Sequence, residues 1–172
     1  MKAISVAKPG GFERLRLVDV PDLVPQRGEV LVETRAVGVN FADVVVRLGL
    51  YASAKKYVGW PITPGFEFSG EVAGLGDGVS DLQLGERVFG LSRFGGYASQ
   101  VCVPRGQLFR VPAALSHAQA ATFPTVHLTA YYALREIFKV RPGWRVLVHA
   151  AAGGVGLAAL QVARADGLES VA

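Results

Sequence analysis

Residues 145–165 restrict the fold more than any other stretch, because they run from an apolar segment through a cluster of small residues into a second apolar segment. Val146, Leu147 and Val148, completed by His149 and Ala150, read as a parallel strand. Ala151-Ala152-Gly153-Gly154-Val155-Gly156 follows at once, and residues 157–165 read as a helix. Ala151, Gly153 and Gly156 fill the three spacing positions of G-x-G-x-x-G, with alanine in the first. Small residues let a backbone turn tightly and approach a pyrophosphate, whose charge sits on the helix N-terminus. Ala152, Gly153, Gly154, Val155 and Gly156 are therefore candidate cofactor-binding residues. The competing reading is a turn that is glycine-rich only for packing.

Upstream, residues 1–110 carry short apolar segments at 3–6, 15–20, 30–39, 68–73, 87–91, 97–103 and 108–111. Turn signals such as Pro9-Gly10-Gly11 and Pro104-Arg105-Gly106 separate them, a spacing that predicts a barrel or sandwich. One helix interrupts the strands over 40–48, with Asn40 at its N-cap and Asp43 three residues later. After Pro112 the pattern turns helical. Ser116 caps a helix over 116–121, and Pro124 opens another that reaches Phe138. The boundary expected within 112–124 gives a β-rich domain over residues 1–122 and a nucleotide-binding domain over 123–172. Ser170-Val171-Ala172 reads as the opening of a second parallel strand. The residue that reads the adenosine ribose is expected about 20 positions after the glycines, past Ala172. The expectation is thus the N-terminal part of a longer protein.

Charge and cysteine content remove several function classes. The net charge of +4 is scattered, and Lys55-Lys56, read as a solvated loop, is the only adjacent basic pair. Nucleic-acid binding needs a basic stripe, which is missing. The single cysteine, Cys102, excludes an internal disulfide and reads as an inert residue of an apolar strand. No run approaches membrane-spanning length, and residues 2–8 lack the apolar core of a signal peptide. A cytoplasmic protein without an integral membrane segment is expected.

Five motifs in order carry a resemblance to a known family. They are Gly38-Val39-Asn40-Phe41-Ala42-Asp43, Arg47-Leu48-Gly49-Leu50-Tyr51 and Pro64-Gly65-Phe66-Glu67-Phe68-Ser69-Gly70, then Leu128-Thr129-Ala130-Tyr131-Tyr132-Ala133-Leu134 and the turn from His149 to Gly156 with Gln161. Together they resemble the medium-chain dehydrogenase/reductase superfamily, in its zinc-free quinone oxidoreductase branch of zeta-crystallin and VAT-1-like proteins. The resemblance implies an α+β to α/β chain: a GroES-like distorted β-barrel, then the first βα unit of a truncated Rossmann fold. It also implies that the barrel lacks its C-terminal closing segment, and that the full-length protein is a homodimer. NADPH is the implied cofactor, with NADH possible, and the implied partner is a small-molecule quinone or enone.

Residue chemistry argues separately about zinc. The zinc alcohol dehydrogenases, which the chain resembles distantly, ligate their catalytic metal through a cysteine and a histidine whose positions correspond here to Asn40 and Phe66. A phenyl ring cannot bind metal, and an amide oxygen is a poor zinc ligand. Glu67 and His127 are too scattered to replace them, so no zinc is expected. Without a Lewis acid, hydride transfer suits a quinone or an α,β-unsaturated carbonyl, whose conjugation spreads the developing charge. The protein then supplies position and hydrogen bonds. Asn40, Asp43 and Tyr51 are the candidate catalytic residues. Asn40 would orient the nicotinamide or the substrate oxygen, and Tyr51 would donate a hydrogen bond or proton. An unperturbed aspartate is ionised near neutrality, which weakens Asp43 as a proton donor. Each has a bland alternative: Asn40 and Asp43 as helix caps, Tyr51 as a half-buried aromatic closing a loop. Thr129 resembles a family position near the nicotinamide and phosphate bridge, against a threonine bonded to its own helix. Trp60 reads as a wall of the cleft or a cover for the barrel, and His117, His127 and His149 as structural. Two further readings compete with catalysis: a VAT-1-like scaffold on a membrane or partner, and a truncated pseudoenzyme. RNA binding ranks last for want of a basic stripe.

Overall fold

Each upstream apolar segment forms a strand in the computed structural model, which describes every residue from Met1 to Ala172. The strands are β1 (Lys2–Val6), β2 (Leu15–Asp19), β3 (Glu29–Val37), β4 (Glu67–Leu75), β5 (Arg87–Leu91), β6 (Gln100–Pro104) and β7 (Leu108–Arg110). β1 and β2 make a hairpin, and the other five form an antiparallel sheet in the order β6-β3-β4-β5-β7. Side chains alternate across a strand, so one face of this sheet collects the valines. Val30 pairs with Val103 and Val32 with Val101, and Val32 also pairs with Val72 across β4. These valines, with Phe68, Leu82, Val88 and Leu108, form the first core cluster. Register shifts between Leu31 and Val32 and between Thr34 and Ala36 mark bulges on β3. Such bulges bend and twist a strand, and the sheet curls accordingly. Single bridges from Ala3 to Ala98 and from Val6 to Ile62 tie the hairpin to the rest of this unit.

Two short helices, α1 (Phe41–Arg47) and α2 (Ala52–Tyr57), sit between β3 and β4. They bury Val46 and Ala54 beside Val6 and Ile62, which makes a second core cluster. α1 lies where it was expected, over its Asn40 cap. α2 places Lys55 and Lys56 on the exposed last turn of a helix rather than in a loop. Ala, Ser and Lys tolerate helix well, but six residues are too few to announce a period. Ser116 caps α3 (His117–Ala121) through a capping box with Gln119.

The chain divides into two compact units, Met1–Thr122 and Phe123–Ala172. The second contains α4 (Pro124–Tyr131), a π-helical segment (Tyr132–Ile137), β8 (Arg145–Leu147), α5 (Gly154–Ala165) and β9 (Glu169–Val171). β8 and β9 run parallel, with Val146 opposite Ser170, so the second parallel strand forms as read. Three boundaries differ from expectation. The helix opened by Pro124 widens into π geometry after Tyr131, where the Phe138 N–H reaches the Ala133 carbonyl at 3.0 Å. β8 stops at Leu147, because Ala150 adopts a positive φ of 54° that no strand accommodates. α5 starts at Gly154 rather than Leu157, since its first turn consists of the glycine motif itself. No helix is long and apolar enough to cross a membrane.

Candidate functional site

In the first unit the candidate residues gather where the β3–α1 turn meets the start of β4. Asn40 leaves β3 in an extended conformation and caps α1. Its backbone N–H donates to Asp43 Oδ2 at 2.8 Å, while the Asp43 N–H donates to the Asn40 carbonyl at 3.0 Å. The other Asp43 oxygen accepts the Gly65 N–H at 3.0 Å. Asp43, only 5 % exposed, therefore ties the start of α1 to the Pro64–Gly65 corner through both oxygens. This arrangement is the cap that was weighed against catalysis. The Tyr97 ring packs on Gly65, whose φ of +102° and absent Cβ allow that approach. Burial first, then the neighbouring Asp43 carboxylate, push the Tyr97 phenol well above its ordinary value.

The Asn40 side chain faces the Asp43 N–H in the capping box and also reaches the start of β4. Its Nδ2 donates to Glu67 Oε1 at 2.8 Å, and Glu67, at the first position of β4, is 1 % exposed. Phe66, next in the chain, turns its ring into an aromatic group. Tyr51 and Phe66 have centroids 5.5 Å apart, Phe66 and Phe94 5.4 Å, and Tyr51 and Phe94 6.2 Å edge to face. The three rings are half-buried and rest, with Trp60, on the Val6–Val46–Ala54–Ile62 cluster. Offset and edge-on aromatic pairs of this kind are mutually attractive. The Tyr51 backbone caps α2, and its hydroxyl makes no hydrogen bond within the chain. Tyr51 is thus fixed by its ring and free at its oxygen. No three His, Cys, Asp or Glu side chains converge to hold a metal ion.

In the second unit, the Leu157 N–H makes the first intrahelical bond of α5, to the Gly153 carbonyl at 2.8 Å. The N–H groups of Gly154, Val155 and Gly156 consequently have no helical partner, and they provide the donors that a phosphate takes. Gly156 is buried, and a Cβ there would lie 2.5 Å from the Ala150 carbonyl and 2.6 Å from Ala151 Cα. Gly153 is exposed, with nothing nearer than 3.2 Å to an added Cβ. Packing therefore requires one glycine of the motif, while the other keeps its outer face clear. Ala152 and Val155 are also exposed on this turn. The donors and the open backbone fit a dinucleotide pyrophosphate. Thr129 donates its hydroxyl to the Thr125 carbonyl at 2.7 Å, which is the local helical bond that competed with a cofactor role.

The chain resembles known proteins over most of its length. Residues 26–113 match the alcohol dehydrogenase GroES-like domain. A synaptic vesicle membrane protein VAT-1 homolog of Rattus norvegicus is 43% identical over 157 residues, covering 90% of this chain and 38% of the relative. The chain belongs to the medium-chain dehydrogenase/reductase superfamily. Within it, the likeness lies with the quinone oxidoreductase and VAT-1 branch. The solved Escherichia coli quinone oxidoreductase complexed with NADPH superposes with a TM-score of 0.89 at 37% identity, over 99% of this chain and 51% of that one. The CurK enoyl reductase superposes with a TM-score of 0.93 at 36% identity, over 98% and 52%. The chain thus spans about half of the solved medium-chain reductases and a smaller share of the VAT-1 relative.

His117, His127 and Cys102, also singled out in the sequence, are engaged within the chain. The His117 Nδ1 bonds Ser69 Oγ at 2.8 Å, and the ring nitrogen opposite faces Arg87 Nε at 3.4 Å. The Ser69 hydroxyl donates to the Val88 carbonyl at 2.9 Å. His127 stacks on Phe123 and bonds Gln161, and His149 is exposed. Cys102 is half-buried rather than in the core, its thiol directed at Glu29 Oε2 at 3.4 Å. Sequence reasoning missed two members of the site. Phe94 lies in a Gly-rich turn with no period to announce it, and Glu67 stood out as part of a family-like motif and as a metal-ligand candidate, not as a partner of Asn40.

Proposed function

We propose that the chain is the core of a zinc-independent reductase that passes a hydride from NADPH to a quinone or an α,β-unsaturated carbonyl. The observation that carries the reading is the aromatic group Tyr51–Phe66–Phe94, with an unbonded Tyr51 hydroxyl, whose Phe66 directly precedes the strand that brings Glu67 to Asn40. At the two positions that correspond to zinc ligands in the alcohol dehydrogenases stand an amide and a phenyl ring, so the donor set does not suit the metal. Half-buried rings favour a flat, conjugated acceptor over a small polar alcohol.

NADPH supplies the hydride when bound. The Gly154, Val155 and Gly156 N–H groups would hold its pyrophosphate, and the open face of Gly153 would let the backbone come close. Phe66 and Phe94 hold the acceptor flat and exclude water. The Tyr51 O–H, with the second Nδ2 hydrogen of Asn40, donates to the acceptor oxygen as charge develops there. Conjugation carries the rest of the charge. β8 and β9 give one side of the nucleotide crevice, and an open α/β sheet binds its dinucleotide where the strand order reverses. Tight cofactor binding is accordingly proposed for the sheet extended by further strands. NADPH is favoured by the solved relative that contains it, and the enone class by the likeness to an enoyl reductase.

Tyr51→Phe tests the reading. The ring contacts persist, so turnover should fall by up to about 10²–10³-fold, the loss of one oxyanion donor, with the affinity for NADPH unchanged. Unchanged turnover with hydride transfer rate-limiting assigns Tyr51 a packing role only. A second reading, favoured by the VAT-1 likeness, is a non-catalytic binding protein on the same fold. It predicts ligand binding at the aromatic group with no hydride transfer to any acceptor.

A further inference from the structure

We propose that Glu67 is a positioning residue: its buried carboxylate, given room by Gly38, orients the Asn40 amide so that one Nδ2 hydrogen is presented outward to the substrate oxygen. The consequence for substrate rests on the function proposed above, whereas the orientation rests on the geometry alone.

A carboxylate taken out of water needs hydrogen bonds to stay there, and Glu67 is 1 % exposed. It receives the Asn40 Nδ2 at 2.8 Å. An amide side chain has an accepting end and a donating end of nearly equal shape, and left alone it bonds either way round. A carboxylate only accepts. Facing Glu67, the amide therefore has one bonding orientation, nitrogen inward, because the reverse would set Oδ1 against Oε1. One Nδ2 hydrogen is used and the second remains.

The space for this contact comes from Gly38. A Cβ there would lie 2.1 Å from Glu67 Oε1 and 2.5 Å from its Cδ. The Gly38 N–H also donates to the Glu67 backbone carbonyl at 3.2 Å, which fixes the turn against the start of β4. Asp43 meanwhile holds the Asn40 backbone N–H. Asp43 thus sets the main chain of Asn40 through its carboxylate and faces the oxygen end of the amide through its N–H, while Glu67 takes the nitrogen end.

Two variants disturb the orientation in different ways. Glu67→Gln keeps the shape but lets the Asn40 amide bond either way round. Gly38→Ala leaves Glu67 in place chemically and pushes its carboxylate aside. The Asn40 side-chain amide, identified in ¹⁵N spectra of the chain by its loss in Asn40→Ala, should lose roughly tenfold of its protection from hydrogen exchange in both variants. The Asp43 and Gly65 backbone signals should stay protected. Unchanged protection of the Asn40 amide overturns the proposal, and if one variant fails to fold the other decides. The probe for the consequence is 2-acetylnaphthalene, a flat conjugated ketone, titrated calorimetrically. Asn40→Ala and Glu67→Gln should each weaken it about three- to tenfold, the range of one hydrogen bond. Adding Glu67→Gln to Asn40→Ala should weaken it no further. A further loss in that background overturns positioning, since Glu67 would then act without Asn40. Equal affinity in Asn40→Ala and wild type, with the exchange result as expected, supports the orientation by Glu67 and removes only Asn40 from the substrate role.

Discussion

Gly156 and Gly153 belong to one motif, but the structure assigns them opposite roles, and alanine at each separates them. At Gly156 the new Cβ would meet the Ala150 carbonyl at 2.5 Å and the Ala151 Cα and carbonyl carbon at 2.6 and 2.8 Å. All three are backbone atoms, so no rotamer change relieves the contact. Overpacking of this kind costs about 1–3 kcal/mol. Replacing glycine in a helix by alanine returns up to ~1 kcal/mol of propensity. Because only backbone can give way, the upper half of the overpacking range applies, and the net expectation is a loss of about 1–2 kcal/mol. At Gly153 the nearest atom is 3.2 Å away and the backbone is extended, so Gly153→Ala should stay within about 0.5 kcal/mol of wild type. The chain offers a clean assay, since Trp60 reports the first unit and Trp144 the second. Urea unfolding followed by Trp144 fluorescence in a Trp60→Phe background reads the second unit alone. A Gly156→Ala protein as stable as its parent, or more so, would refute the close-packing argument and leave helix propensity as the only effect. Gly153→Ala should instead weaken NADPH, by crowding the face that the pyrophosphate approaches.

Three other outcomes follow from the same contacts. Burial first, then Arg87, hold the His117 imidazole below its ordinary value, with Glu71 pulling the other way and Arg35 adding a small push down. The folded state therefore prefers the neutral ring. That stability is complete above about pH 6.5 and is lost as pH falls from there through the lowered folded value. In a Trp144→Phe background the urea midpoint should fall between about pH 7 and pH 5, and His117→Gln should flatten the fall. The same slope in both proteins would assign the loss elsewhere, although Glu71, Asp81 and Glu86, each held low first by its arginine partner, titrate only in stronger acid. Burial and the Glu29 carboxylate push the Cys102 thiol up to about 11. Iodoacetamide at about pH 8 should react some two hundredfold more slowly than with a free cysteine near 8.5, and a rate equal to the free thiol would contradict the Glu29 contact. Ser69→Ala leaves the His117 Nδ1 and the Val88 carbonyl without their partner, so chemical unfolding should show a loss of about 1–3 kcal/mol. A neutral result would mean that the network adds nothing.

Much of the fold was legible because its signals are local. Turn residues bounded the seven strands of the first unit, and Asn40 and Ser116 announced their helices by capping chemistry. The strand, turn and helix from Arg145 onward were readable as a unit, but not their edges, since Ala150 at positive φ gives no sign in sequence. The π-helical segment after Tyr131 was equally silent, because its period differs from an α-helix by a fraction of a residue. The site divided in the same way. Tyr51 and Asn40 stood out through motifs that resemble a family. Asp43 proved to be engaged at both oxygens by backbone groups, one of them on Gly65, 22 residues away. The pairing of Asn40 with Glu67 joins residues 27 apart, and the meeting of Tyr51, Phe66 and Phe94 depends on how α2 and the β5–β6 turn pack. Contacts at such separations are products of tertiary packing, which no local pattern encodes.

The central claim is that this site directs a hydride from a nicotinamide to a conjugated acceptor without zinc. The direct measurement uses the chain extended with the remaining half of the Escherichia coli quinone oxidoreductase, dialysed against a chelator and given NADPH deuterated at C4, with an α,β-unsaturated ketone as acceptor. Mass spectrometry of the product should find deuterium at the β-carbon, at a rate unaltered by added zinc and lowered by Tyr51→Phe. A product without deuterium at that carbon, or a reaction that appears only when zinc is restored, would contradict the account.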